Sequence, residues 1–387
     1  MPMLEAATYH AAAAPGLCQR ALANLPRWAE DAAASEQRAR LGAEGFAALW
    51  QEGWLDLVSP RSPLPGDSRW PTLLEISRIA ARACPSSAWM IALVGGHASI
   101  VGRLPPALRQ TLYASGAQQL FASASASDSS RFTWTPAGIQ VEGRWRFSSG
   151  IQDATWLLLN APCAGHPDAD PATRWLLPVP VAALEVLGNW APCGMAATGS
   201  HDVRVRGLCV PHEQVMALPV LFGQRPQRGA SGYLDHVPLV PYLTTSIIGP
   251  LLGCAEGAYA RHLDGFTRQG RALDAHGLEQ TAHAAAELAC ARLLYQALLA
   301  RLHDAGVAGE PLDAAQQLAL RRDRSYLAQR CVGVVQRLVR QQGASSLSMG
   351  DALQRHWRDV QAMALHRDVA WAMALQACAD SHRQQPT

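Results

Sequence analysis

Residues 145–156 read Trp-Arg-Phe-Ser-Ser-Gly-Ile-Gln-Asp-Ala-Thr-Trp and predict the end of a β-strand followed by a turn. Upstream, apolar and polar residues alternate, which places Trp145 and Phe147 on the buried face of the strand. Ser149 is in phase with that face, and Gly150 allows the backbone to turn or to approach a ligand. Two interpretations are open: an ordinary Ser-Ser-Gly turn, which this segment alone favours, or a strand end that holds a flat, polar-edged ring such as a flavin.

The chain as a whole is segregated into a helical part, a strand-rich part and a second helical part. Apolar residues recur at helical spacing over 15–115, and the period changes to two from about Gln118. From about Pro241 the patterns are long and helical, as in an antiparallel four-helix bundle. Because helices and strands do not alternate, the predicted fold class is α+β, with an antiparallel sheet or barrel in the middle. The expected domains are an N-terminal helical domain over 1–117, a middle β-domain over 118–215 and a C-terminal helical bundle over 216–387.

Two helices are predicted in more detail within the first part. Apolar residues at helical spacing predict one helix over 36–52, with Gly53 as its stop. A second helix is predicted over 86–103, and because it is apolar nearly all round it is expected to be buried.

Composition disfavours several classes of protein. The 387 residues carry a formal net charge of +2 with both signs spread along the chain, which argues against nucleic acid as a partner. No apolar run reaches the length of a membrane span, and residues 1–14 show no secretory signal, so a cytoplasmic location without membrane association is expected. The nine cysteines include no C-x-x-C pair, which fits reduced thiols better than a zinc site or disulfides, and no metal site is predicted.

Two histidines stand out because each lies in an apolar segment. On a helix, His366 shares its face with Met363 and Val369. Burial lowers the pKa of such an imidazole and favours the neutral form, which can act as a base. His97 follows two glycines that permit close approach of another segment or a ligand. For each histidine two interpretations stay open: a hydrogen-bonded structural residue or a catalytic group in a pocket.

Two further groups of polar side chains are ambiguous in the same way. Ser123 and Ser125 place hydroxyls on one face of a predicted strand, which is either solvated or packed closely against something. Arg355 and Arg358 lie near Asp359, as on an ion-paired helix surface. Their guanidinium groups would also suit a phosphate.

Four stretches of sequence make the chain similar to a known family. They are Cys84–Trp89 followed by His97, Gly143–Gly150, Gly194–Asp202, and Arg355–Asp359 followed by His366. In this order they resemble the acyl-CoA dehydrogenase superfamily, most closely its two-component flavin-dependent monooxygenase branch, which includes HpaB-type hydroxylase oxygenases and dibenzothiophene monooxygenases. The resemblance covers about residues 36–375 and implies the acyl-CoA dehydrogenase-like fold.

The resemblance also implies a site between the β-domain and the bundle. Ser125 and Ser149 would lie near the edge of the flavin ring, and Trp145 would pack near the ring itself. The residues assigned to cofactor binding are Ser123, Ser125, Trp145, Ser149, Thr198, Ser200 and Arg358. The residues assigned to catalysis are His366, which would move a proton, His97, which would orient the substrate, and Ser149, which would steady charged oxygens.

The function implied is that of the oxygenase component of a two-component system. A separate flavin reductase would supply reduced FMN or FAD, and molecular oxygen would be the co-substrate. A small aromatic or heteroatom-bearing substrate would be oxidised through a C4a-peroxyflavin. Members of the family are usually homotetramers, with a dimer as the other expectation.

Two alternatives accompany this hypothesis. One is an FAD-dependent desaturase resembling the acyl-CoA dehydrogenases, which take an α-proton with a Glu near the bundle. The sequence places no such Glu, and His366 stands at the position typical of the monooxygenase branch. The other alternative is a non-catalytic scaffold that keeps the fold. One departure is Ala196, where this branch often has Arg, so a specific phosphate or substrate contact there is in doubt.

Overall fold

The N-terminal part of the chain is helical, as the sequence predicts. The computed structural model describes residues 9–127, 129–167, 170, 172–225, 232–269 and 273–384. Its first helices are α1 (Pro15–Ala23), α2 (Leu25–Arg38), α3 (Ala43–Gln51), α4 (Gly66–Ala81), α5 (Pro85–Trp89), α6 (Ala98–Gly102) and α7 (Pro106–Leu112). Helices α4 and α5 are buried along nearly their whole length, so they form the interior of this part of the molecule.

The prediction of one helix over 36–52 was wrong. Helix α2 ends at Arg38, and Ala39 adopts a left-handed φ of 50° before α3 begins. The break directs Arg40 toward the β-domain, where its guanidinium forms an ion pair with Asp153. Apolar residues keep their helical spacing across the break, which is why the sequence pattern does not reveal it.

The segment predicted as one buried helix over 86–103 is buried but changes its pitch. After α5 it continues as a π-helical turn over Met90–Val94 and a 3-10 turn over Gly95–His97, before α6 begins. A π-helical turn holds an extra residue and is frequent at functional sites. His97 stands at the end of this irregular stretch, and its ring is hydrogen-bonded to Phe121 in the next part of the chain.

The middle part of the chain forms a mixed sheet. Its described strands are β1 (Phe121–Ser123), β2 (Ser125–Ala126), β3 (Arg131–Thr135), β4 (Gly138–Ser148), β5 (Trp156–Ala164), β6 (Arg174–Pro180), β7 (Glu185–Val186), β8 (His201–Val210) and β9 (Met216–Ala217). Their order is β7-β8-β4-β3-β5-β6-β9, with β1 beside β5 and β2 beside β4. The prediction of an antiparallel sheet was incomplete, because β5 is parallel to both β1 and β3. Strand β9 begins just beyond residue 215, and the division into three domains stays a prediction.

Strand β4 departs from the predicted alternation. Trp145 is fully buried, but Phe147, expected on the same face, is 52% exposed. The register of β4 against β8 shifts between Trp145 and Ser148, which inserts an extra residue into the strand. Phe147 adopts a left-handed φ of 60°, and its N–H donates to Asp202 Oδ1 at 3.1 Å. Because the insertion reverses the alternation beyond it, Ser148 is buried and Ser149 follows it into the interior.

The last part of the chain forms a bundle of long helices, as predicted. Its helices are α8 (Leu218–Phe222), α9 (Val240–Thr245), α10 (Ile248–Gln269), α11 (Ala275–Ala308), α12 (Ala314–Gln342), α13 (Ala352–Ala364) and α14 (Trp371–Gln384). Asp274 and Asp313 cap α11 and α12 by accepting main-chain N–H groups. The resulting molecule is α+β, with the sheet between two helical parts.

Helix α10 approaches α4 closely because a glycine recurs at every fourth position. Residues four apart share one face of a helix, and here that face carries Gly249, Gly253 and Gly257. A Cβ atom at Gly253 would lie 1.9 Å from the carbonyl oxygen of Arg78. The two backbones are therefore in direct contact, which leaves no room for a larger residue on this face.

A cluster of ion pairs joins the three parts of the chain, and we call it the Glu36 junction (Glu36, Cys193, Arg355, Arg358 and Asp359). The carboxylate of Glu36 on α2 accepts hydrogen bonds from Arg355 at 3.1 Å and from Arg358, both on α13. Arg358 also donates to the carbonyl oxygen of Cys193 at 2.6 Å. Burial alone would raise the pKa of Glu36, but the hydrogen bonds from Arg358 and Arg355 hold it below its ordinary value.

The same junction fixes the backbone of residues 193–200. Met195 has a left-handed φ of 60°, and its N–H donates to Asp359 Oδ1 at 2.5 Å. A Cβ atom at Gly194 would lie 2.3 Å from the carbonyl oxygen of Arg358, so only glycine fits there. Burial raises the pKa of Asp359 to about 7. The segment is thus held on α13 by backbone contact and by a buried carboxyl group.

The glycine contact between α10 and α4 predicts that Gly253→Ala is strongly destabilising. The added methyl group would collide with the backbone of α4, and overpacking of this kind costs about 1–3 kcal/mol or more. Gly265→Ala is the matched control on the same helix, because a Cβ atom there meets nothing within 4 Å. It is expected to be neutral or stabilising by up to about 1 kcal/mol. Urea unfolding followed by circular dichroism measures both, and equal midpoints for the two variants would contradict the packing described.

The Glu36 junction predicts that Glu36→Gln lowers the free energy of unfolding by about 2 kcal/mol at neutral pH. The amide removes the negative charge and leaves two largely buried guanidinium groups with a weaker partner. Because the pKa of Glu36 is lowered in the folded state, its contribution is complete above the ordinary value of 4.5 and is lost as the pH falls through the folded-state pKa. The difference between wild type and variant should therefore shrink in acid.

Glu142→Gln is the matched control for this experiment. Glu142 pairs with Arg131 at the surface, where the side chains are 60% and 58% exposed. Loss of such a pair costs less than about 1 kcal/mol. Equal effects of the two substitutions, or a Glu36→Gln effect that grows in acid, would be evidence against the junction as described.

Candidate active site

His97 and Ser123 form a hydrogen-bonded pair between the irregular helix and strand β1. The ring atom Nδ1 of His97 lies 2.8 Å from the carbonyl oxygen of Phe121, and Nε2 lies 2.9 Å from Ser123 Oγ. A carbonyl oxygen only accepts, so Nδ1 carries the hydrogen and Nε2 accepts the hydroxyl hydrogen of Ser123. This leaves the lone pairs of Ser123 Oγ available to a ligand.

The environment of His97 keeps its imidazole neutral. Burial lowers the pKa of His97 to about 4, against the hydrogen bond to Phe121, and nearby His366 lowers it slightly further. A neutral imidazole with a fixed acceptor nitrogen can take up a proton at Nε2. The arrangement therefore suits a base that acts through the Ser123 hydroxyl.

A directed chain of hydrogen bonds crosses from α5 to the segment after Met195. Trp89 Nε1 donates to Ser149 Oγ at 3.1 Å, Ser149 lies 2.8 Å from Ser200 Oγ, and Ser200 lies 2.7 Å from Thr198 Oγ1. Thr198 donates to the carbonyl oxygen of Met195 at 2.8 Å, which fixes the direction of all the bonds before it. The hydroxyl hydrogen of Ser149 is therefore directed to Ser200, and this arrangement does not provide the donor to charged oxygens that was predicted for Ser149.

His366 lies in a turn and not on a helix, so that part of the prediction was wrong. Helix α13 ends at Ala364, because the N–H groups of Val369 and Ala370 both bond to the carbonyl oxygen of His366 and close a turn. The His366 ring packs edge-on against Trp89, with ring centres 5.6 Å apart. Its Nδ1 accepts the main-chain N–H of Asp368 at 3.4 Å, which leaves Nε2 with the hydrogen.

The pKa of His366 is lowered like that of His97. Burial is the main cause; the carboxylate of Asp368 opposes it, while Arg367 and Arg324 lower the pKa further. Near neutral pH both imidazoles are therefore uncharged. Their Nε2 atoms differ in character, because Nε2 of His97 accepts from Ser123 and Nε2 of His366 carries a hydrogen.

Trp89 is the site residue that the sequence reasoning missed. It belongs to one of the stretches that carry the family resemblance, but a tryptophan in an apolar helix gives no signal of function. In the structure it donates to Ser149 and packs against His366, so it joins the predicted residues of the β-domain to those of the bundle. The structure thus brings together His97, Ser123, Ser149, Thr198, Ser200 and His366.

Three predicted cofactor-binding residues lie elsewhere. Trp145 has no exposed surface and donates to the carbonyl oxygen of Asn160 within the core of the sheet, because it precedes the register shift in β4. Arg358 uses Nη1 in the Glu36 junction and Nε on Gln354, while its Nη2 is buried without a hydrogen-bond partner among the described residues. Ser125 is exposed on β2 opposite Arg146, away from the hydroxyl chain but free to meet a ligand.

The end of β4 carries an exposed aromatic side chain on one face and a buried hydroxyl on the other. Phe147 is 52% exposed, and its ring centre lies 6.3 Å from that of Trp190. Ser148 Oγ is buried and without a hydrogen-bond partner among the described residues, which is rare unless water or a ligand supplies one. Within the same residues, no group of three potential metal ligands occurs, and no helix has the length and apolar character needed to span a membrane.

Comparisons with known proteins agree with this geometry. Residues 245–371 match the family described as acyl-CoA dehydrogenase, C-terminal domain. The oxygenase subunit HsaA of a flavin-dependent monooxygenase from Rhodococcus jostii (strain RHA1) is 26% identical over 360 residues, which cover 90% of this chain and 93% of that protein. The oxygenase component of an FADH(2)-dependent resorcinol hydroxylase from Rhizobium sp. (strain MTP-10005) is 25% identical over 355 residues, covering 87% of this chain and 86% of that protein. The solved structure of XiaF from Streptomyces sp., in complex with FADH2 and glycerol, has a TM-score of 0.86 at 21% identity and covers 96% of each chain.

The comparisons support both the predicted fold and the predicted family resemblance. The family match falls on the helical bundle, and both relatives extend across nearly the whole chain. The solved structure has the same fold, so the predicted acyl-CoA dehydrogenase-like architecture is confirmed. The predicted resemblance to the two-component flavin-dependent monooxygenase branch of the acyl-CoA dehydrogenase superfamily is confirmed by these similarities.

Proposed function

We propose that the chain is the oxygenase component of a two-component system that hydroxylates a small aromatic substrate bearing a hydroxyl or similar heteroatom group. The observation that carries this proposal is the pair of neutral imidazoles whose available nitrogens are opposite in character. An acceptor next to a donor suits a substrate whose O–H is deprotonated on one side while a proton is delivered on the other. Relatives named as a flavin-dependent monooxygenase and a resorcinol hydroxylase support the same reaction class.

The cofactor would be a reduced flavin from a separate reductase, either FMN or FAD. When bound, it supplies the electrons that activate molecular oxygen. Two alternatives for its ring are the outer face of β4, where Phe147 and Trp190 would pack against it, and the inner face, where the hydroxyl chain would meet its polar edge. Ser125, Thr198 and Ser200 would line the remaining contact. The resorcinol hydroxylase depends on FADH(2), whereas other solved structures with this fold hold FMN, so both flavins are candidates.

On the substrate side, we assign the first proton transfer to Ser123 and His97. A substrate hydroxyl donates its proton to Ser123 Oγ, and Ser123 passes its own proton to His97 Nε2. The substrate oxygen becomes anionic, which raises the electron density of an attached aromatic ring, and His97 becomes an imidazolium ion. His366 would hold an N–H at Nε2 toward the site, and Trp89 with Ser149 would form a wall that excludes water.

Two observations bear on the alternatives. The groups gathered at the site are imidazoles and hydroxyls, whereas an acyl-CoA desaturase removes its α-proton with a carboxylate. This favours the monooxygenase. A scaffold without catalysis gains no support from a buried His97 and a partly buried His366 whose pKa values are both lowered, since clustered perturbed groups are typical of functional sites.

The proposal includes partners and a location. A flavin reductase and a small-molecule substrate are the required partners. Self-association as a homotetramer or dimer is supported by apolar side chains on the outer face of α11, where Leu278, Leu293 and Val307 are 52%, 67% and 57% exposed. All nine cysteines are free thiols, which supports a reducing compartment such as the cytoplasm.

The direct test supplies the purified chain with FMNH2 or FADH2, oxygen and a panel of phenols that includes resorcinol. Mass spectrometry of the products should show a gain of one oxygen atom, derived from labelled oxygen gas. Reduction of a protein-bound oxidised flavin by an acyl thioester would support the desaturase instead. Failure to bind either reduced flavin in a fluorescence titration would support the scaffold.

The placement of His366 predicts that His366→Ala lowers hydroxylated product per reduced flavin consumed by about 100-fold. The dissociation constant for reduced flavin should stay within about twofold of the wild type, since His366 faces the substrate side. His276→Ala is the matched control, because that imidazole is 76% exposed on α11. Product yields in His366→Ala equal to those of the control would remove His366 from the mechanism.

The pairing of His97 with Ser123 predicts strongly non-additive effects. Each of His97→Ala and Ser123→Ala should slow hydroxylation by about 100-fold, and the double variant should be little slower than either. The wild-type rate should not decline through His97 as the pH is lowered from about 8 to about 5, because its pKa is about 4. Single-turnover rates measure both effects, with Ser345→Ala as an exposed serine control; additive losses would show that the two residues act separately.

A further inference from the structure

Arg324 on α12 is a buried cation whose hydrogen-bond partners are uncharged. Its side chain is only 7% exposed. Nε donates to the carbonyl oxygen of Asp368 at 2.6 Å, and Nη1 donates to Thr244 Oγ1 on α9. The carboxylate of Asp368 is directed elsewhere, at 3.6 Å from His366 Nδ1 and 3.7 Å from Arg367 Nε.

Burying the charged guanidinium of Arg324 costs desolvation free energy, so its position in the interior needs an explanation. Burial lowers the pKa of Arg324 to about 10, so the guanidinium still carries its charge near neutral pH. Buried charges are usually paired with an opposite charge, because desolvation is otherwise uncompensated. Here the hydrogen bonds go to a main-chain carbonyl of one loop and a hydroxyl of another helix, and the Asp368 carboxylate acts on the guanidinium only through its charge at longer range.

The carbonyl that Arg324 holds belongs to the residue that sets the tautomer of His366. The N–H of Asp368 donates to His366 Nδ1 at 3.4 Å, while its carbonyl oxygen accepts from Arg324. Within the turn, the His366 N–H donates to the carbonyl oxygen of Met363 and the His366 carbonyl accepts from Val369 and Ala370, but none of these bonds reaches α9 or α12. The orientation of the turn relative to α9 therefore depends on the fork made by Arg324.

We propose that Arg324 is a positioning residue for His366, an inference that rests on the role proposed for His366 in hydroxylation. By anchoring the Asp368 carbonyl to α12 and α9, Arg324 holds the turn over residues 366–370. His366 then keeps its Nδ1 toward the Asp368 N–H and its Nε2 hydrogen toward the site. Arg324 touches neither substrate nor cofactor in this proposal and acts through His366 alone.

The charge of Arg324 provides a signature that a purely structural contact would not. The charged and titratable groups that face His366 are Asp368, Arg367, Arg324 and His97. Arg324 lowers the pKa of His366, so removal of the cation should raise it. The midpoint therefore reports the charge of Arg324, and a variant that keeps the charge without the planar fork is needed to report its geometry.

The experiment compares Arg324→Gln with Arg324→Lys and with the control Arg322→Gln. Arg322 lies on the same helix with its side chain 57% exposed. The His366 ring is titrated by NMR with labelled histidine, its signal being assigned by its loss in His366→Ala, and kcat and KM for hydroxylation are measured in parallel. Arg324→Gln should raise the His366 midpoint by about half a pH unit or more and lower kcat about 10-fold, with KM within about threefold.

Arg324→Lys separates charge from geometry and guards against a Gln variant that does not fold. Lysine keeps the cation, so the midpoint should return close to that of the wild type, but it lacks the planar fork and should recover kcat only in part. A folded Arg324→Gln with wild-type midpoint and kcat would overturn the proposal. If only Arg324→Lys folds, full wild-type kcat in that variant would overturn it as well.

The NMR titration also separates this proposal from the proposed function. It requires no turnover, so a raised midpoint in Arg324→Gln shows that the charge of Arg324 acts on His366 whatever the reaction, while incomplete recovery of kcat in Arg324→Lys is the result that supports positioning. If His366→Ala retains full hydroxylation, the role of His366 in the proposed function fails while the structural coupling stands. If hydroxylation requires His366 and the midpoint does not move, only the role of Arg324 fails.

Discussion

The Glu36 carboxylate between Arg355 and Arg358 is the contact on which the rest of the site depends. It ties the first helical part to α13, and Arg358 extends the tie to Cys193 in the segment before β8. Glycine at 194 then lets that segment lie directly on the α13 backbone. The hydroxyls of Thr198 and Ser200 are presented to Ser149 only because this segment is held in that position. The ion pairs of Glu36 therefore help to determine where the hydroxyls of Thr198 and Ser200 lie, more than 150 residues further along the chain.

The site itself is a composite of all three parts of the molecule. The irregular helix supplies Trp89 and His97, the sheet supplies Ser123 and Ser149, and the bundle supplies His366. No single part of the chain supplies an imidazole, a site hydroxyl and Trp89 together. Burial at the shared boundary also has a chemical result, because it keeps both imidazoles neutral at a pH where an exposed histidine would be partly charged.

The sequence was most informative where one periodic pattern governs a whole element. The segregation of helices from strands predicted the α+β fold, and motif resemblance predicted the family. Errors arose where a single residue interrupts a pattern: the insertion at Phe147 reverses the alternation, and left-handed Ala39 divides a predicted helix. Trp145 was assigned to the flavin ring by the family resemblance alone. It lies in the core of the sheet, where the alternation of β4 places it. Trp89 was missed because its role depends on contacts between distant segments, which no local pattern records.

The opposite character of the two imidazoles follows from main-chain groups. Nδ1 of His97 meets the carbonyl oxygen of Phe121, which can only accept, so the hydrogen must be on Nδ1 and Nε2 is left as an acceptor. Nδ1 of His366 lies 3.4 Å from the N–H donor of Asp368 and 3.6 Å from its carboxylate, and the N–H, which can only donate, favours the hydrogen on Nε2. Backbone amides do not titrate or exchange these roles. The direction in which protons can move through the site is therefore set by the fold, and side-chain substitutions that leave the two backbone contacts intact should not reverse it.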